Sequence, residues 1–399
     1  MQSRHLTSQL VTLILTLLAA VSYATAKDLP PPAEASPLVR ANNRFGLRLL
    51  RELHQRGENS CVSPPSLALS LHMLSTRSTG ETRAELEGAL GTTGLDLGEL
   101  DRTLLQALEQ HAEVRVRLVN ALWSNVSQGA LSEDTSRELL ANFGIHARTL
   151  NFADRSSGDA IARWLKERTE GTLGDRVPRV PQEGRLALSS AATHDARWSL
   201  AFLPEGTRPG TFVDVDGKAS EVTLMLGIES YRSFGRYSRE EPANVVCLPY
   251  GADRSVGMWV AVPKPGVSLA ELVDQLSEDT LAHWNERANA HRTYVYLPRF
   301  DLATQHDVRP ALERMGVKRL FQAGPAVLPE LGSAPAAEIE LLPHQTAVRF
   351  ANPGVRRPVT DFVPCHCLPT EVKCDRPFLF VIQDFKTGSI LFAGTVYRP

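Results

Sequence analysis

Three residues with metal-binding and redox chemistry are adjacent near the C-terminus of this 399-residue chain: Cys365, His366 and Cys367, with Cys374 close behind. Such soft ligands could hold zinc if a fourth group completed a tetrahedron. The Cys-x-Cys spacing, however, differs from that of zinc fingers and ribbons, and prolines on both sides stiffen the backbone. We therefore expect no metal here. A disulfide involving one of these cysteines is the better interpretation in a secreted protein, and its pairing stays open.

A dibasic pair, Arg356 and Arg357, lies in the same stretch, which runs from Leu342 to Val372 without helical or strand periodicity. Compact domains seldom keep so long an irregular loop without a use for it. Paired arginines suit trypsin-like proteases, whose pockets hold a basic side chain against a carboxylate. The stretch is a candidate bait for a protease, or else an exposed segment that such an enzyme simply cuts.

Enzyme signatures do not occur in the sequence. It contains no GxSxG elbow, HExxH, CxxC, Walker A loop or dinucleotide-binding glycine motif. His194 and Asp195 are adjacent, but they lie between apolar stretches and are interpreted as a packed or solvated polar pair. The formal net charge of -2 predicts no attraction to nucleic acid or to an anionic membrane. We expect neither catalysis nor a cofactor.

Residues 1–26 have the layout of a secretory signal peptide. Arg4 and His5 precede the apolar run LVTLILTLLAAV, and the small residues of ATA supply a cleavage site before Lys27. The run is too short to span a bilayer comfortably. We expect a secreted, extracellular protein without a membrane anchor, in which residues 27–37 form a disordered proline-rich tail.

Secretion changes how the cysteines are interpreted. There are five, at Cys61, Cys247, Cys365, Cys367 and Cys374. Their odd number leaves at least one free or paired between chains, and they are too few to staple a fold of this size. The hydrophobic core must therefore carry the stability of the fold.

The triplet NVS, which begins at Asn125, is the only Asn-x-Ser/Thr sequence in the chain. In a secreted protein such a triplet is an acceptor for N-glycosylation. We therefore expect Asn125 to lie in an exposed loop.

Helical patterns dominate the first half of the chain and strand patterns the second. LVRANNRFGLRLLRELHQRG and LDRTLLQALEQHA have helical spacing, whereas NVVCLPY, VGMWVAVP and RTYVYLPRFDL are typical of strands. The two types do not alternate regularly, and there are no internal repeats. This favours an α+β fold over a doubly wound parallel sheet. No linker divides residues 38–399, so we expect a single domain.

Six motifs in register resemble the serpin family across nearly the whole chain after the tail. DRPFLFVIQDFKTGSILFAGTV is close to the family's C-terminal signature, and SCVSPPSLALSLHML resembles the strand and helix that begin its central gate. VRLVNALW, IARWLKERTEGTL, VCLPYG and YVYLPRFDL fall in the family's order, and RANNRFGLRLL is similar to secreted tick serpins. The resemblance implies three β-sheets, eight or nine helices and an exposed reactive-centre loop at about residues 342–372.

The resemblance also implies a mechanism. In inhibitory serpins a protease attacks the loop through its own serine and forms an acyl-enzyme. The cut loop then inserts as a new strand into the central sheet and drags the protease with it. The serpin contributes stored strain rather than a catalytic residue.

The N-terminal half of the loop departs from the family's inhibitory pattern E-x-G-T-x-A-A-A-A. In an alignment on its threonine, the hinge residues of this chain are Thr346, Ala347, Val348, Arg349, Phe350 and Pro353. Thr346 matches and Ala347 is small, but bulky side chains follow. Proline also lacks the N–H that a central strand must donate.

The gate beneath the loop departs in a similar way. Ser63 and Ser66 match the family's gate serines, whereas Ser190 replaces an asparagine and the gate histidine aligns with Pro335. On this alignment the two groups that hydrogen-bond across the opening point of the sheet are both missing.

Two anchors place the scissile residue differently. Counting from Thr346 gives Val359, whereas counting back from EVKCDRPF gives His366. Arg356 and Arg357 lie nearby and belong to the same candidate scissile region.

Two functions of different class follow from these observations. The first is a secreted serine-type endopeptidase inhibitor that presents its bait loop to a trypsin-like protease. The second is a non-inhibitory serpin that binds or carries an unknown ligand or serves as a protease substrate, which the hinge and gate favour. GELDRTLLQALEQHA matches the basic heparin-binding helix of some family members but is nearly neutral, so we expect no heparin cofactor by that route. We expect a monomer.

Overall fold

The computed structural model of the chain describes residues 33–111, 113–128, 131–175, 178–180, 182, 184–199, 201–235, 240–322, 339–351 and 370–399. The predicted signal peptide and most of the predicted tail lie outside these ranges. Among the described residues, no helix is both long and apolar enough to cross a membrane.

Nine α-helices lie in the described part of the chain. They are α1 (Pro37–Leu53), α2 (Pro64–Thr76), α3 (Gly80–Leu90), α4 (Leu97–Glu109), α5 (Glu133–Phe143), α6 (Ser157–Arg168), α7 (Leu269–Gln275), α8 (Glu278–Arg287) and α9 (Arg309–Arg314). The start of α1 shows why they begin where they do. The Ser36 hydroxyl accepts the Val39 N–H at 3.2 Å, and Pro37 occupies the first turn, where its missing N–H has no intrahelical partner to lose.

Fifteen strands accompany the helices in the described residues. They are β1 (Ser60–Val62), β2 (Val114–Asn125), β3 (Ile145–Leu150), β4 (Leu186–Ala196), β5 (Leu203–Val213), β6 (Ala219–Phe234), β7 (Ala243–Tyr250), β8 (Val256–Pro263), β9 (Asn289–Pro298), β10 (Asp301–His306), β11 (Ile339–Leu341), β12 (His344–Arg349), β13 (Thr370–Lys373), β14 (Phe378–Asp384) and β15 (Ile390–Val396).

The larger sheet has nine strands in the order β1-β15-β14-β8-β7-β6-β9-β13, with β5 added on β6. In the described residues, its two parts are joined where Arg232–Phe234 of β6 pairs with three residues of β7. The smaller sheet has six strands, in the order β10-β12-β4-β2-β3 with β11 added on β4. Counting the two parts of the larger sheet separately gives, with this one, the three sheets that were predicted. The α+β class is confirmed as well.

Helix α2 lies at the centre of the molecule and connects the two sheets. Every residue from Pro64 to Ser75 is buried, and the helix packs against β2 and β4 of the smaller sheet and β15 of the larger one. A helix buried on all sides belongs to the interior of a fold rather than to its surface. Its N-terminus, at Ser63, lies beside β12 of the six-stranded sheet.

The expectation that the exposed loop begins at Leu342 is wrong. Leu342 is buried, and residues 344–349 form β12 inside the smaller sheet. This strand is buried on both faces, so it lacks the alternation that marks a half-exposed strand. The far end of the predicted loop is also a strand, since β13 begins at Thr370.

Candidate functional site

Strand β12 joins the six-stranded sheet in two different ways. It is antiparallel to β10 over six residue pairs, from Asp301 with Arg349 to His306 with His344. It is parallel to β4 over four pairs, Gln345–Val348 with residues 191–194. Strand β11 continues this parallel boundary over three more pairs along β4. We call the boundary of β4 with β11 and β12 the seam.

His344 ties the N-terminus of α2 to the seam. Its Nε2 accepts the Ser63 N–H at 3.2 Å, so Nδ1 carries the proton and faces the Ser190 hydroxyl at 3.1 Å and the Ser190 carbonyl at 3.2 Å. The ring is fully buried. Burial, and then the neighbouring His306, lower the pKa of His344 to about 3, which keeps the imidazole neutral.

Ser66 extends the same cluster into β2. Its hydroxyl lies 3.0 Å from the Asn120 amide oxygen, 3.1 Å from the Ser190 hydroxyl and 3.0 Å from the Ala191 carbonyl. The Asn120 amide nitrogen in turn donates to the Ser66 carbonyl at 3.0 Å. One buried hydrogen-bond network thus connects α2 with β2, β4 and β12.

The statement that both gate partners are missing is therefore wrong. His344 supplies the imidazole that the alignment sought at Pro335, which lies outside the described residues, and Asn120 supplies an amide from a neighbouring strand. The sequence analysis missed both residues because it placed His344 in the loop. One signal in the sequence could have identified His344: it directly precedes the short strand-like run QTAV.

Thr346 is part of the sheet rather than of a hinge. Its hydroxyl lies 2.8 Å from that of Thr304 on β10, and both hydroxyls donate to the Cys61 carbonyl on β1, at 3.3 and 3.1 Å. His306 binds the same residue of β1, because its Nε2 accepts the Cys61 N–H at 3.4 Å. Burial lowers the pKa of His306 too. Strand β1 is thus held by side chains of β10 and β12.

The C-terminal end of β12 is also anchored. Ala347 and Val348 are buried within the strand. The Phe350 ring is buried, stacks on Phe300 at a centroid distance of 4.5 Å, and meets Phe380 edge-on at 5.3 Å. The predicted hinge residues from Thr346 to Arg349 therefore belong to a strand that is already formed, and Phe350 directly follows it.

The remaining candidate residues of the loop lie outside the described residues. They are Pro353, Arg356, Arg357, Val359, Cys365, His366 and Cys367. Their roles stay predictions.

The other three cysteines, Cys61, Cys247 and Cys374, are free and buried. Burial raises the thiol pKa of both Cys61 and Cys247 to about 12 and also raises that of Cys374. A thiol rather than a thiolate is unreactive toward oxidants and metals. Among the described residues, no group of three or more potential ligands could hold a metal ion.

Asn125 is not in an exposed loop. It is the last residue of β2 and only 7 % exposed, and its amide nitrogen donates to the Gly184 carbonyl at 2.9 Å. A glycan would have to be attached to this same nitrogen. The expectation of an exposed acceptor is wrong because the asparagine is the buried last residue of a strand, and the 3-10 turn begins only after it.

His194 and Asp195 do not form a catalytic pair. His194 is buried between Tyr250 and Phe392, at centroid distances of 4.6 and 5.9 Å, and neither ring nitrogen has a hydrogen-bond partner among the residues that the structure describes. Burial lowers its pKa to about 4. The Asp195 carboxylate instead faces the guanidinium of Arg349.

A protein-family model described as "Serpin (serine protease inhibitor)" matches residues 40–399. This chain belongs to the serpin family. Serpins are protease inhibitors rather than enzymes, so no catalytic residue is assigned to this one.

Relatives of similar length support the assignment. Glia-derived nexin of Rattus norvegicus is 26 % identical over 86 % of this chain and 89 % of its own. Iripin-2 of Ixodes ricinus, which carries the minor resemblance to tick serpins, is 28 % identical over 92 % of this chain and 94 % of its own. A solved structure of native protease nexin-1 with heparin shares the fold, with a TM-score of 0.80, 23 % identity, and coverage of 91 % of this chain and 99 % of that one.

The buried histidines predict that acid destabilises this serpin. The pKa of folded His344 is about 3, against about 6.5 in an unfolded chain, so between these values the unfolded chain binds more protons. Stability should therefore fall as the pH drops below about 6.5, by roughly 2 kcal/mol at pH 5 from His344 alone. Urea unfolding at pH 7.5 and pH 5 measures this loss. His344→Gln should reduce it, whereas His283→Gln, at an exposed position, should not; equal losses in all three proteins would contradict the assignment.

Replacing His194 with phenylalanine should stabilise the protein. The substitution keeps an aromatic ring between Tyr250 and Phe392 and removes two buried nitrogens that lack partners. We expect the free energy of unfolding at pH 7 to rise by about 1 kcal/mol, since an unpaired buried polar atom costs its lost hydration. Urea unfolding measures the change, and a decrease would show that a hydrogen bond to His194 had been lost.

Proposed function

We propose that this serpin is a secreted, monomeric inhibitor of serine proteases that traps its target by inserting the cut loop between β12 and β13 into the seam. The observation that carries the proposal is the parallel pairing of β12 with β4. A segment that leaves β12 at Arg349 and folds back would run antiparallel to both neighbours. Insertion would replace one parallel ladder by two antiparallel ones, which are slightly more stable per residue.

The connection between the sheets supports the same proposal. Strand β12 lies in the smaller sheet, whereas β13 pairs with β9 at the end of the larger one. In the uncut protein, one end of the loop is therefore fixed in the smaller sheet and the other end in the larger sheet. A cut anywhere between them frees a segment attached only to β12.

The position of the cut should decide the outcome. A strand that pairs along the whole seam needs on the order of ten residues, and the reversal before it about four more. Residues 350–366 meet this length, so the productive bond lies near His366. Residues 350–357 do not.

The second candidate function applies to the dibasic pair. A trypsin-like protease that cuts after Arg356 or Arg357 frees too short a segment for full insertion. Pro358 lies beyond such a cut, so the freed segment does not contain it. Such a cut favours a protease substrate or a binding scaffold over an inhibitor. Pro353, in contrast, would fall in the reversal, where proline is tolerated.

The charges of helix α4 support the expectation that heparin does not bind to this helix. It carries the acidic residues Glu99, Asp101 and Glu109 against the single basic residue Arg102. A sulfated polysaccharide needs a concentration of positive charge, and α4 provides none. Heparin in the protease nexin-1 structure is therefore a property of that protein.

Moving the trypsin site along the loop tests the function. We expect trypsin to cut the wild-type protein after Arg356, because Arg357 is followed by a proline that hinders cleavage, and to dissociate with little complex formed. In the triple variant R356Q/R357Q/H366R the cut moves to position 366, and an SDS-stable complex and a higher melting temperature after cleavage should appear. Denaturing gels, intact mass and thermal unfolding measure these results.

The matched pair separates the two candidate functions. Clean cleavage of the triple variant with no complex and no gain in stability would overturn the inhibitor proposal in favour of the second candidate. A stable complex of trypsin with the wild-type protein would contradict the length requirement and make a trypsin-like protease the direct target.

Secretion has a separate test. Expression in a eukaryotic secretory system should release the protein into the medium with Lys27 as its first residue, because the signal peptide ends at Ala26. N-terminal sequencing measures this. Retention inside the cell with Met1 intact would contradict secretion.

A further inference from the structure

One arginine holds both neighbours of β12 at its C-terminal end. The Arg349 Nη1 donates to the Asp195 carboxylate of β4 at 3.2 Å, and its Nε lies 3.8 Å from the Asp301 carboxylate of β10. Val348 with His194 is the last backbone pair of the seam, so the contact with Asp195 lies just beyond that pairing. A single guanidinium therefore bridges three strands.

This end of the seam is where a returning strand would have to enter. The chain leaves β12 at Arg349, so a segment that folds back must first separate β12 from β4 there. The ion pair between Arg349 and Asp195 spans that gap. It must break before any backbone pair of the seam is replaced.

The two sides of β12 are held differently at this end. On the β10 side, the Phe350 ring stacks on Phe300, which directly precedes β10, and six antiparallel pairs follow. On the β4 side, the parallel ladder ends with Val348 and His194, and the ion pair lies beyond it. The β4 side is therefore the one that can release.

Neither charge is isolated when the gap opens. Arg349 keeps Asp301 on β10, which stays paired with β12. Asp195 keeps a basic neighbour, since Arg115 is its cross-strand partner on β2. The side chains of Arg349 and Asp195 are 40 % and 38 % exposed, so water can reach both. Such a pair is strong enough to delay opening and weak enough to allow it.

We propose that Arg349 is a positioning residue that fastens the loop end of the seam to Asp195 and thereby sets how fast the cut loop enters the sheet. The role in loop entry rests on the proposed function, whereas the fastening of the seam does not. Because exposed ion pairs contribute a few tenths to 1 kcal/mol, removing this one should speed opening by about two- to fivefold.

Hydrogen exchange of the uncut protein tests the fastening directly. In R349Q, the peptides that contain the loop end of β4 and β12 should exchange about two- to fivefold faster than in wild type. D195N should do the same, and the double variant should add nothing further because it breaks the same contact. The matched control is R314Q, which breaks an arginine–carboxylate contact of 2.7 Å with Glu52 between α9 and α1, away from the seam. One molar salt should raise the wild-type rate and leave R349Q unchanged.

The rate of insertion after cleavage separates this inference from the proposed function. In the triple variant that trypsin cuts at position 366, adding R349Q should shorten the time over which thermal stability rises. Unchanged exchange in R349Q and D195N would overturn the fastening. Faster exchange in R349Q and D195N, with no rise in thermal stability of any cleaved protein, would support the role of Arg349 in closing the seam and contradict loop insertion.

Discussion

The parallel boundary between β4 and β12 is the constraint on which the rest of this structure depends. It crosses the middle of the six-stranded sheet, yet it is made of a short ladder of the weaker kind. A stable sheet with a weak central boundary needs other parts to hold it closed. Helix α2 with its buried polar network does so along the boundary, and an ion pair does so at the end.

The polar network succeeds because its groups are almost all paired. Buried polar atoms are costly without partners, and His344, Ser66, Ser190 and Asn120 satisfy one another across four elements. His344 must be neutral for this pairing, because its Nε2 accepts a hydrogen bond from the Ser63 N–H while its Nδ1–H donates one to Ser190. His194, a short distance along β4, shows the opposite case of a buried imidazole without partners.

Much of the fold could be predicted from sequence because motifs such as DRPFLFVIQDF are apolar, long and in order. Strand β12 could not, because its polar residues His344, Gln345 and Thr346 are buried by partners that lie far away in the chain. Because β12 has the sequence of a loop, the alignment puts the hinge on residues of this strand and the gate histidine at Pro335, too near the N-terminus in both cases. Asn125 was misjudged for a related reason: a three-residue motif carries no information on whether its asparagine ends a strand.

The three buried thiols impose a condition on how this chain matures. Inside the fold they are protonated and sealed from solvent, but an unfolded chain in an oxidising compartment exposes them to random crosslinking. Cys61 lies on β1, where its carbonyl accepts from the hydroxyls of β10 and β12, and a foreign sulfur attached to its buried side chain would keep that strand from docking. In such a compartment folding must outpace oxidation, and complete unfolding becomes irreversible once the exposed thiols crosslink.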